Sequence, residues 1–101
     1  MILESIDKIE EYVDNLSEEE FNTNTLIQDA VFRRLMIIGE AVKNIPIQVK
    51  EKHPEIPWKN IAGMRDVITH QYAGVKLKRI WSVIEKNLPT LKINIQKIKD
   101  D

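Results

Sequence analysis

Residues 26–45 of the chain, LIQDAVFRRLMIIGEAVKNI, carry its clearest structural signal. Apolar residues recur there at intervals of three and four, which is the spacing of one face of an α-helix. They fill about half of the helix circumference, and they are Leu26, Ile27, Ala30, Val31, Leu35, Ile37, Ile38, Ala41, Val42 and Ile45. Because this arc is too wide for a helix that contacts one neighbour, we expect the helix to lie at the centre of a bundle.

Helical spacing continues towards the N-terminus. A first helix is predicted by one stripe of apolar residues that step by four and three, Ile2, Ile6, Ile9, Val13 and Leu16. Ser17 followed by Glu20 has the form of a capping box, which predicts the start of another helical turn. Residues 22–25, NTNT, are typical of a turn and a helix N-cap.

Two more helical segments are predicted after the central helix, which Pro46 ends. Residues 53–57, HPEIP, form a connector, and a third helix follows from about Trp58 to Tyr72, stopping near Gly74. The last segment carries one apolar stripe, formed by Leu77, Ile80, Ile84, Leu88, Leu91, Ile95 and Ile98. Pro89 predicts a kink or a break within this segment.

The composition is that of one small domain. We predict a single all-α domain over residues 1–101, an antiparallel bundle of four to five helices. The chain has no cysteine, which excludes disulfides, thiolate catalysis and zinc–sulfur sites. The sequence also shows no signal-peptide pattern and no apolar run of membrane length. Together with the lack of cysteine, these features favour a cytoplasmic protein without membrane association. The net charge of −1 argues against a general DNA-binding protein, so any nucleic-acid contact must be local.

Arg65 breaks the apolar pattern of the predicted third helix. The stripe of that helix is formed by Trp58, Ile61, Met64, Ile68 and Tyr72. At about 100° per residue, with Ile61 at zero, Arg65 falls at about 40°, inside the stripe. A guanidinium in that place must extend to solvent, find an anion or face a partner chain.

Two other polar residues near the end of this helix are candidates for function. His70 falls at about 180° on the same wheel, one turn after Asp66, which could accept its ring N–H. A surface histidine beside an aspartate is common, and a tyrosine such as Tyr72 most often packs its ring inward. His53 is expected in a loop. Because two distant histidines without cysteine form no metal-site spacing, we predict no metal and no cofactor.

The central helix carries polar residues of its own. Asp29, Arg33 and Glu40 share one polar strip, where exposed ion pairs are the simplest interpretation. Arg34 lies within the wide apolar arc, and such violations of the pattern occur where function is expected. Gly39 lies in mid-helix at a cost of about 1 kcal/mol relative to alanine, which predicts the close approach of another helix. Arg33, Arg34 and Glu40, together with Asp66, are therefore candidate supporting residues.

Residues 65–72, RDVITHQY, have the form R-x4-H-x-Y, which resembles the signature of the HepT-like branch of the HEPN superfamily. The resemblance runs through most of the chain and is clearest over about residues 17–91. The other segments that support the resemblance are DAV at 29–31, IIGEA at 37–41, HPEIPW at 53–58, IAGMR at 61–65, IW at 80–81 and NLP at 87–89. Asp66 is a variation, since asparagine is common there in relatives, and its negative charge could weaken RNA binding.

The resemblance implies a homodimer of helical bundles that acts as a metal-independent endoribonuclease. Such a protein is the toxin of a type VII-like toxin–antitoxin pair, with RNA as its substrate. The resemblance assigns Arg65 and His70 to RNA cleavage. It also implies a cognate antitoxin, a minimal nucleotidyltransferase that neutralises the toxin by adenylylating Tyr72.

The chemistry of RNA cleavage suits these residue types. Without a metal, cleavage needs a base for the 2′-hydroxyl proton, an acid for the leaving oxygen and a cation for the phosphorane charge. Histidine can serve as base or acid near neutral pH, and the arginine fork binds phosphate oxygens. Because one histidine cannot easily serve both sides of phosphorus, a two-fold dimer would bring two copies of Arg65 and His70 to one cleft.

The helix wheel raises a difficulty for this pair. Positions 65 and 70 differ by about 140° on a regular helix. Either the helix loosens near His70, or the working pair combines Arg65 of one chain with His70 of the other. Both arrangements are compatible with the sequence.

Two other functions fit the sequence. The first is a non-catalytic helical dimer that binds a nucleotidyltransferase partner, with Arg65 and His70 as binding residues. The near-neutral charge and Asp66 favour it. The second is a purely structural helical adaptor, which would leave Arg65 unexplained. Activity on RNA in EDTA separates the catalytic function from the first alternative.

Overall fold

The fold is built from helices alone in the part of the chain that the structure describes. The structure is a computed structural model, and it describes residues 2–70 and 76–100, without the side chains of residues 67, 69, 70, 99 and 100. Its elements are α1 (Ile2–Tyr12), α2 (Glu18–Thr23), α3 (Thr25–Lys43), α4 (Ile47–Lys52), α5 (Trp58–His70), α6 (Leu77–Ser82), a π turn (Val83–Asn87) and α7 (Leu88–Asp100). The predicted all-α bundle is confirmed. Its long members are α1, α3, α5 and the C-terminal helix, our name for the continuous residues 77–100.

The helix α3 lies at the centre of the bundle, as predicted. It packs against α1 and α5 along its length and against α2 near its start. Its buried positions follow the expected spacing of three and four, and they are Val31, Leu35, Ile38, Gly39 and Val42. The prediction is wrong for Leu26, which is 80% exposed, because the first turn of α3 extends past the core.

The helix α1 is shorter than the apolar stripe predicts. It ends at Tyr12, and Asn15 then adopts a φ of 60°, in the left-handed region that α-helices do not use. Val13 and Leu16 therefore lie beyond the helix, although both still pack against the core. The apolar spacing continued past the helix end because the turn leads the chain back to the same core.

The predicted capping box is confirmed at the start of α2. The Ser17 hydroxyl accepts a hydrogen bond from the backbone N–H of Glu20 at 3.1 Å, and the Glu20 carboxylate accepts one from the Ser17 N–H at 3.0 Å. The hydrogen bond from the Ser17 backbone lowers the pKa of the Glu20 carboxyl group. Asn24 then caps α3 through its side-chain oxygen, which accepts from the Ile27 N–H at 3.0 Å.

The short helix α4 has no counterpart among the predicted elements. Pro46 follows the end of α3 and stands at the N-cap of α4, which has six residues and buries none of them. Without a buried face, the helix leaves no apolar periodicity in the sequence. The connector before α5 is confirmed. Its end is anchored by Trp58, whose indole N–H donates to the His53 carbonyl oxygen at 2.9 Å.

The C-terminal helix departs from α-geometry before Pro89 rather than at it. Residues 83–87 form the π turn, and the Leu88 N–H bonds the Val83 carbonyl oxygen, five residues back. Proline has no N–H for the carbonyl four residues earlier, so the helix in front of it cannot keep a regular ladder. The turn buries Val83 and Ile84 together, next to Leu88. Of the predicted kink or break, a break is not found, because residues 77–100 are helical throughout, and the change of helix type lies in front of Pro89.

Membrane insertion finds no support in the described ranges, 2–70 and 76–100. None of their helices combines the length and the apolar character that crossing a bilayer requires.

Candidate active site

Arg65 lies at the edge of the buried stripe of α5. Trp58, Ile61 and Ile68 of that stripe are at most 8% exposed, as their spacing predicts. The Arg65 side chain is 42% exposed, and its Nε lies 3.3 Å from Oε2 of Glu40 on α3, which is 49% exposed. Of the three outcomes expected for a guanidinium in this stripe, Arg65 reaches solvent and finds an anion within its own chain.

Gly39 explains why Arg65 and Glu40 meet. A Cβ atom at Gly39 would lie 3.2 Å from the Arg65 Cβ, 3.3 Å from the Arg65 backbone nitrogen and 3.4 Å from the Ala62 carbonyl oxygen. The predicted close approach of another helix is therefore confirmed, and that helix is α5. Because α3 touches the α5 backbone at Arg65, the next residue along α3, Glu40, can reach the guanidinium.

The Arg65–Glu40 ion pair orients the arginine more than it stabilises the fold. Pairs that are this exposed contribute about 0–1 kcal/mol, because water competes for both partners. A guanidinium carries five N–H donors, and its contact with Glu40 is an ion pair at Nε alone. The arrangement can therefore hold Arg65 in place while it offers donors to a phosphate group.

The helix α5 remains α-helical through His70. Positions 65 and 70 thus lie about 140° apart around the helix axis, and the loosening considered from the sequence is not found between them. The side chain of His70 lies outside the described residues. Tyr72 and the helix end expected near Gly74 also lie outside the described residues. The roles predicted for His70 and Tyr72 therefore stay predictions.

The supporting residues on α3 are not all brought to the site. The predicted ion pair between Asp29 and Arg33 is wrong: among the ion pairs of the described residues, Glu40 pairs across to α5 and Arg33 has none. Exposed side chains such as these stay solvated because the pair would gain little. Arg34 is half-buried, as its place in the apolar arc implies, and Asp66 on α5 is exposed.

A metal site finds no support in residues 2–70 and 76–100. No three histidine, aspartate or glutamate side chains cluster there in a way that could hold an ion.

One feature near α5 has no counterpart in the sequence pattern. A groove of about 720 Å³ separates α5 from the C-terminal helix, and Gly63, Met64, Arg79 and Lys86 are among its lining residues. Its walls come from segments that are more than ten residues apart in the chain. No local periodicity reports such a gap, because it depends on how the two helices diverge.

Comparison with known proteins gives consistent results over almost the whole chain. A family model described as "Ribonuclease HepT-like" matches residues 2–98. A protein of Methanocaldococcus jannaschii named as a gamma-glutamylcyclotransferase and putative RNase is 49% identical over 100 residues, which cover 99% of this chain and 45% of that protein. The chain thus spans less than half the length of that relative.

Other relatives are matched over most of their own length. A second Methanocaldococcus jannaschii protein, named a putative RNase, is 45% identical over 100 residues, covering 99% of this chain and 83% of the relative. A protein of Thermococcus cleftensis named "Probable ribonuclease HepT" is 43% identical over 98 residues, covering 97% and 89%. No solved structure matches significantly.

Proposed function

Because the chain belongs to the HepT-like ribonuclease family, we propose that it is a metal-independent endoribonuclease and the toxin of a type VII-like toxin–antitoxin pair. The observation that carries the proposal is Arg65. Its guanidinium is half-exposed on the R-x4-H-x-Y segment and is oriented by Glu40. A fixed cation at the surface is what a phosphate-cleaving site without metal requires.

In the proposed reaction, Arg65 binds the scissile phosphate and stabilises the charge that develops on the phosphorane. One His70 takes the proton from the 2′-hydroxyl, and the 2′-oxygen attacks phosphorus. The 5′-oxygen leaves with a proton from a second His70. The products are a 2′,3′-cyclic phosphate and a 5′-hydroxyl end.

The two histidines of this mechanism come from the two chains of a homodimer. The α-helical course of α5 from Arg65 to His70 supports this arrangement, because it separates the two positions by about 140° within one chain. Mixed dimers of the unchanged chain with a His70→Ala chain provide a test. If both histidines act on one phosphate, the mixed dimer loses most of its activity. Retention of half the activity would mean two independent sites.

The decisive experiment is an RNA cleavage assay in EDTA with the purified, unmodified protein. We expect cleavage that leaves 2′,3′-cyclic phosphate ends, and its loss in His70→Ala. Circular dichroism of the variant shows whether the fold is kept. Strict dependence on magnesium or manganese would contradict the proposal, as would full activity in His70→Ala.

Tyr72 is the proposed site of regulation by a nucleotidyltransferase antitoxin. Its phenolic oxygen attacks the α-phosphate of ATP, pyrophosphate leaves, and the phenolic proton passes to a base of the antitoxin. The bound AMP adds negative charge to the catalytic segment, where it competes with RNA for Arg65. The intact mass of the protein should rise by AMP units with the antitoxin and ATP, and Tyr72→Phe should abolish the rise. AMP mapped to Tyr12 would contradict the assignment.

A second candidate function is a non-catalytic helical dimer that binds the nucleotidyltransferase. The net charge of −1 and the exposed Asp66 favour it, since both weaken attraction to RNA. The assay in EDTA separates the two functions. A folded, unmodified protein that binds the nucleotidyltransferase and cuts no RNA would be the binding module.

A further inference from the structure

The groove beside α5 is a built feature of the fold. The helix α5 packs against α3 on one side, and on the other side about 720 Å³ of open space separates it from the C-terminal helix. The floor of the groove is aliphatic and buried, and it is formed by Ile61, Ile68, Ile80, Val83, Leu88 and Leu91. Ligand-binding grooves commonly have an apolar floor of this kind with a few polar groups around it.

The rim of the groove is positively charged in a chain whose net charge is −1. Lys59, Arg79 and Lys86 line it and are exposed, and no aspartate or glutamate is among the described residues of the lining. Among the described residues, none of these three cations forms an ion pair. The groove therefore concentrates unneutralised positive charge.

Lys92, elsewhere on the C-terminal helix, differs from the three cations of the groove. Lys92 on α7 lies 3.1 Å from the Asp7 carboxylate and 2.8 Å from that of Glu10, both on α1. These carboxylates raise the pKa of the Lys92 ammonium group. The positive charge of Lys92 is thus neutralised within the chain, whereas the three cations of the groove have no ion-pair partner among the described residues.

We propose that this groove binds single-stranded RNA along the side of α5 that carries position 70, an inference that rests on the ribonuclease function proposed above. The three cations contact phosphates, and the aliphatic floor receives a base that has left the stack. The amides of Asn60, Asn87 and Asn94 also line the groove, and amide groups hydrogen-bond the edges of bases. A duplex keeps its bases paired and stacked, so it lacks the group that fits the floor.

The groove is aligned with the catalytic segment. Gly63 lines it, and a Cβ atom at Gly63 would meet nothing within 4 Å. Positions 63 and 70 are seven residues apart on α5, so they lie within about 20° of each other around the axis and about 10 Å apart along it. A strand that follows the groove past Gly63 therefore approaches the position of His70.

The π turn contributes two of the ligand-facing residues. Lys86 and Asn87 belong to the turn and line the groove, while Val83 and Ile84 of the same turn are buried. Segments of π-helix are frequent at functional sites because they change the direction of side chains along a helix. Here the turn presents a cation and an amide to the groove without opening the core.

The test measures binding without cleavage. The probe is a short fluorescein-labelled 2′-O-methyl RNA, which cannot be cut because its 2′-oxygen is blocked, and the readout is fluorescence anisotropy. The groove variant Arg79→Ala/Lys86→Ala is compared with Lys78→Ala/Lys97→Ala, which has the same net charge and removes two exposed lysines outside the groove. We expect Kd to rise at least about tenfold in the groove variant and less than about twofold in the control.

The salt dependence gives a second readout. Loss of two phosphate contacts should lower the slope of log Kd against log salt by about 1.4 in the groove variant alone. Equal weakening in both variants, or unchanged Kd in the groove variant, would overturn the proposal. A groove variant that binds the probe normally but loses dimer mass in light scattering would also overturn it, because the groove would then be an interface between copies.

A matched pair at Gly63 gives a further test if the double variant does not fold. Gly63→Glu places a carboxylate at the groove and should weaken binding, while Gly63→Ala should not, since the Cβ atom meets open space. Groove-dependent binding without cleavage of natural RNA would refute the ribonuclease function and leave the groove assignment standing.

Discussion

The side of α5 that faces α3 and the side that faces the C-terminal helix, here called its two flanks, differ in packing and in charge. Towards α3 the helix is closed: Gly39 allows backbone contact, and Arg65 is held by Glu40 at 3.3 Å. Towards the C-terminal helix it is open, with Gly63 facing empty space and a rim of unpaired cations among the described residues. One flank is defined by the close packing of two helices around Arg65, and the other by open space with a positively charged rim.

The two mid-helix glycines show the contrast at single positions. Both lie inside helices, where glycine costs about 1 kcal/mol relative to alanine. A Cβ atom at Gly39 would lie 3.2–3.4 Å from atoms of α5, so glycine allows the two helices to approach closely there, whereas no such contact explains Gly63. The same residue type therefore has a structural role on one flank and leaves room for a ligand on the other.

The largest expected effect concerns Arg65 on the closed flank. Arg65→Ala should lower the rate of RNA cleavage by about 10²–10³, the usual loss when a donor to a developing anion is removed. The side chain is half-exposed, so the fold should be kept. Arg65→Lys should recover part of the rate, since it keeps the charge without the planar fork. Single-turnover rates of the three proteins measure this, and a normal rate in Arg65→Ala would show that the closed flank has no chemical role.

The next largest effect is a loss of fold stability on substitution of Gly39. Gly39→Ala should destabilise the fold by about 1–2 kcal/mol, because the new methyl group meets the Arg65 Cβ and backbone nitrogen at 3.2 and 3.3 Å. Neither atom can move without moving α5. Thermal unfolding should show a midpoint lowered by about 5–10 °C. An unchanged or raised midpoint would mean that α5 yields easily, and the closed flank would then be less rigid than its contacts indicate.

Substitution by alanine should change the free energy of unfolding in the opposite direction at Gly63. Gly63→Ala should raise the free energy of unfolding by about 0.5–1 kcal/mol, since alanine is the better helix former and its methyl group meets open space. The same thermal unfolding experiment measures it, with Gly39→Ala as its counterpart. Destabilisation at Gly63 would indicate that the open flank is covered by another part of the protein.

The smallest effect is expected from the Arg65–Glu40 ion pair. A double-mutant cycle of Glu40→Gln and Arg65→Gln should give a coupling energy below about 1 kcal/mol in urea unfolding, because both side chains are more than 40% exposed. A larger coupling would show that the pair is a structural element of the closed flank. The orienting role proposed for Glu40 would then have to be separated from stability.

The closed flank could be predicted from the sequence to a large extent. The central position of α3, the capping box at Ser17 and the apolar stripe of α5 all follow from spacings of three and four within single helices. Gly39 indicated a close helix contact in the same way. The contact of Arg65 with Glu40 could not be derived, because it depends on where α3 and α5 cross.

The open flank could not be predicted, for a related reason. The short helix α4 buries nothing, so it has no apolar stripe, and the π turn changes the helix period over five residues only. The groove arises between segments distant in the chain, and its cations look like any solvated lysine or arginine in the sequence. Local patterns report what a helix buries, not the spaces that helices leave between them.

The π turn also bears on how the length of the chain can vary. It places residues between Val83 and Leu88 that a regular α-helical register would not accommodate. The hydrogen bond of the turn spans five residues where that of an α-helix spans four, so the turn takes up one extra residue and the residues after it keep the direction that a regular helix one residue shorter would give them. Deleting one residue of the turn should therefore let the helix become regular while Leu88 and Leu91 stay in the core that now buries them. A deletion elsewhere in the same helix would instead turn every following residue by about 100° about the axis, so the π turn is the place where this helix can lose a residue and keep its packing.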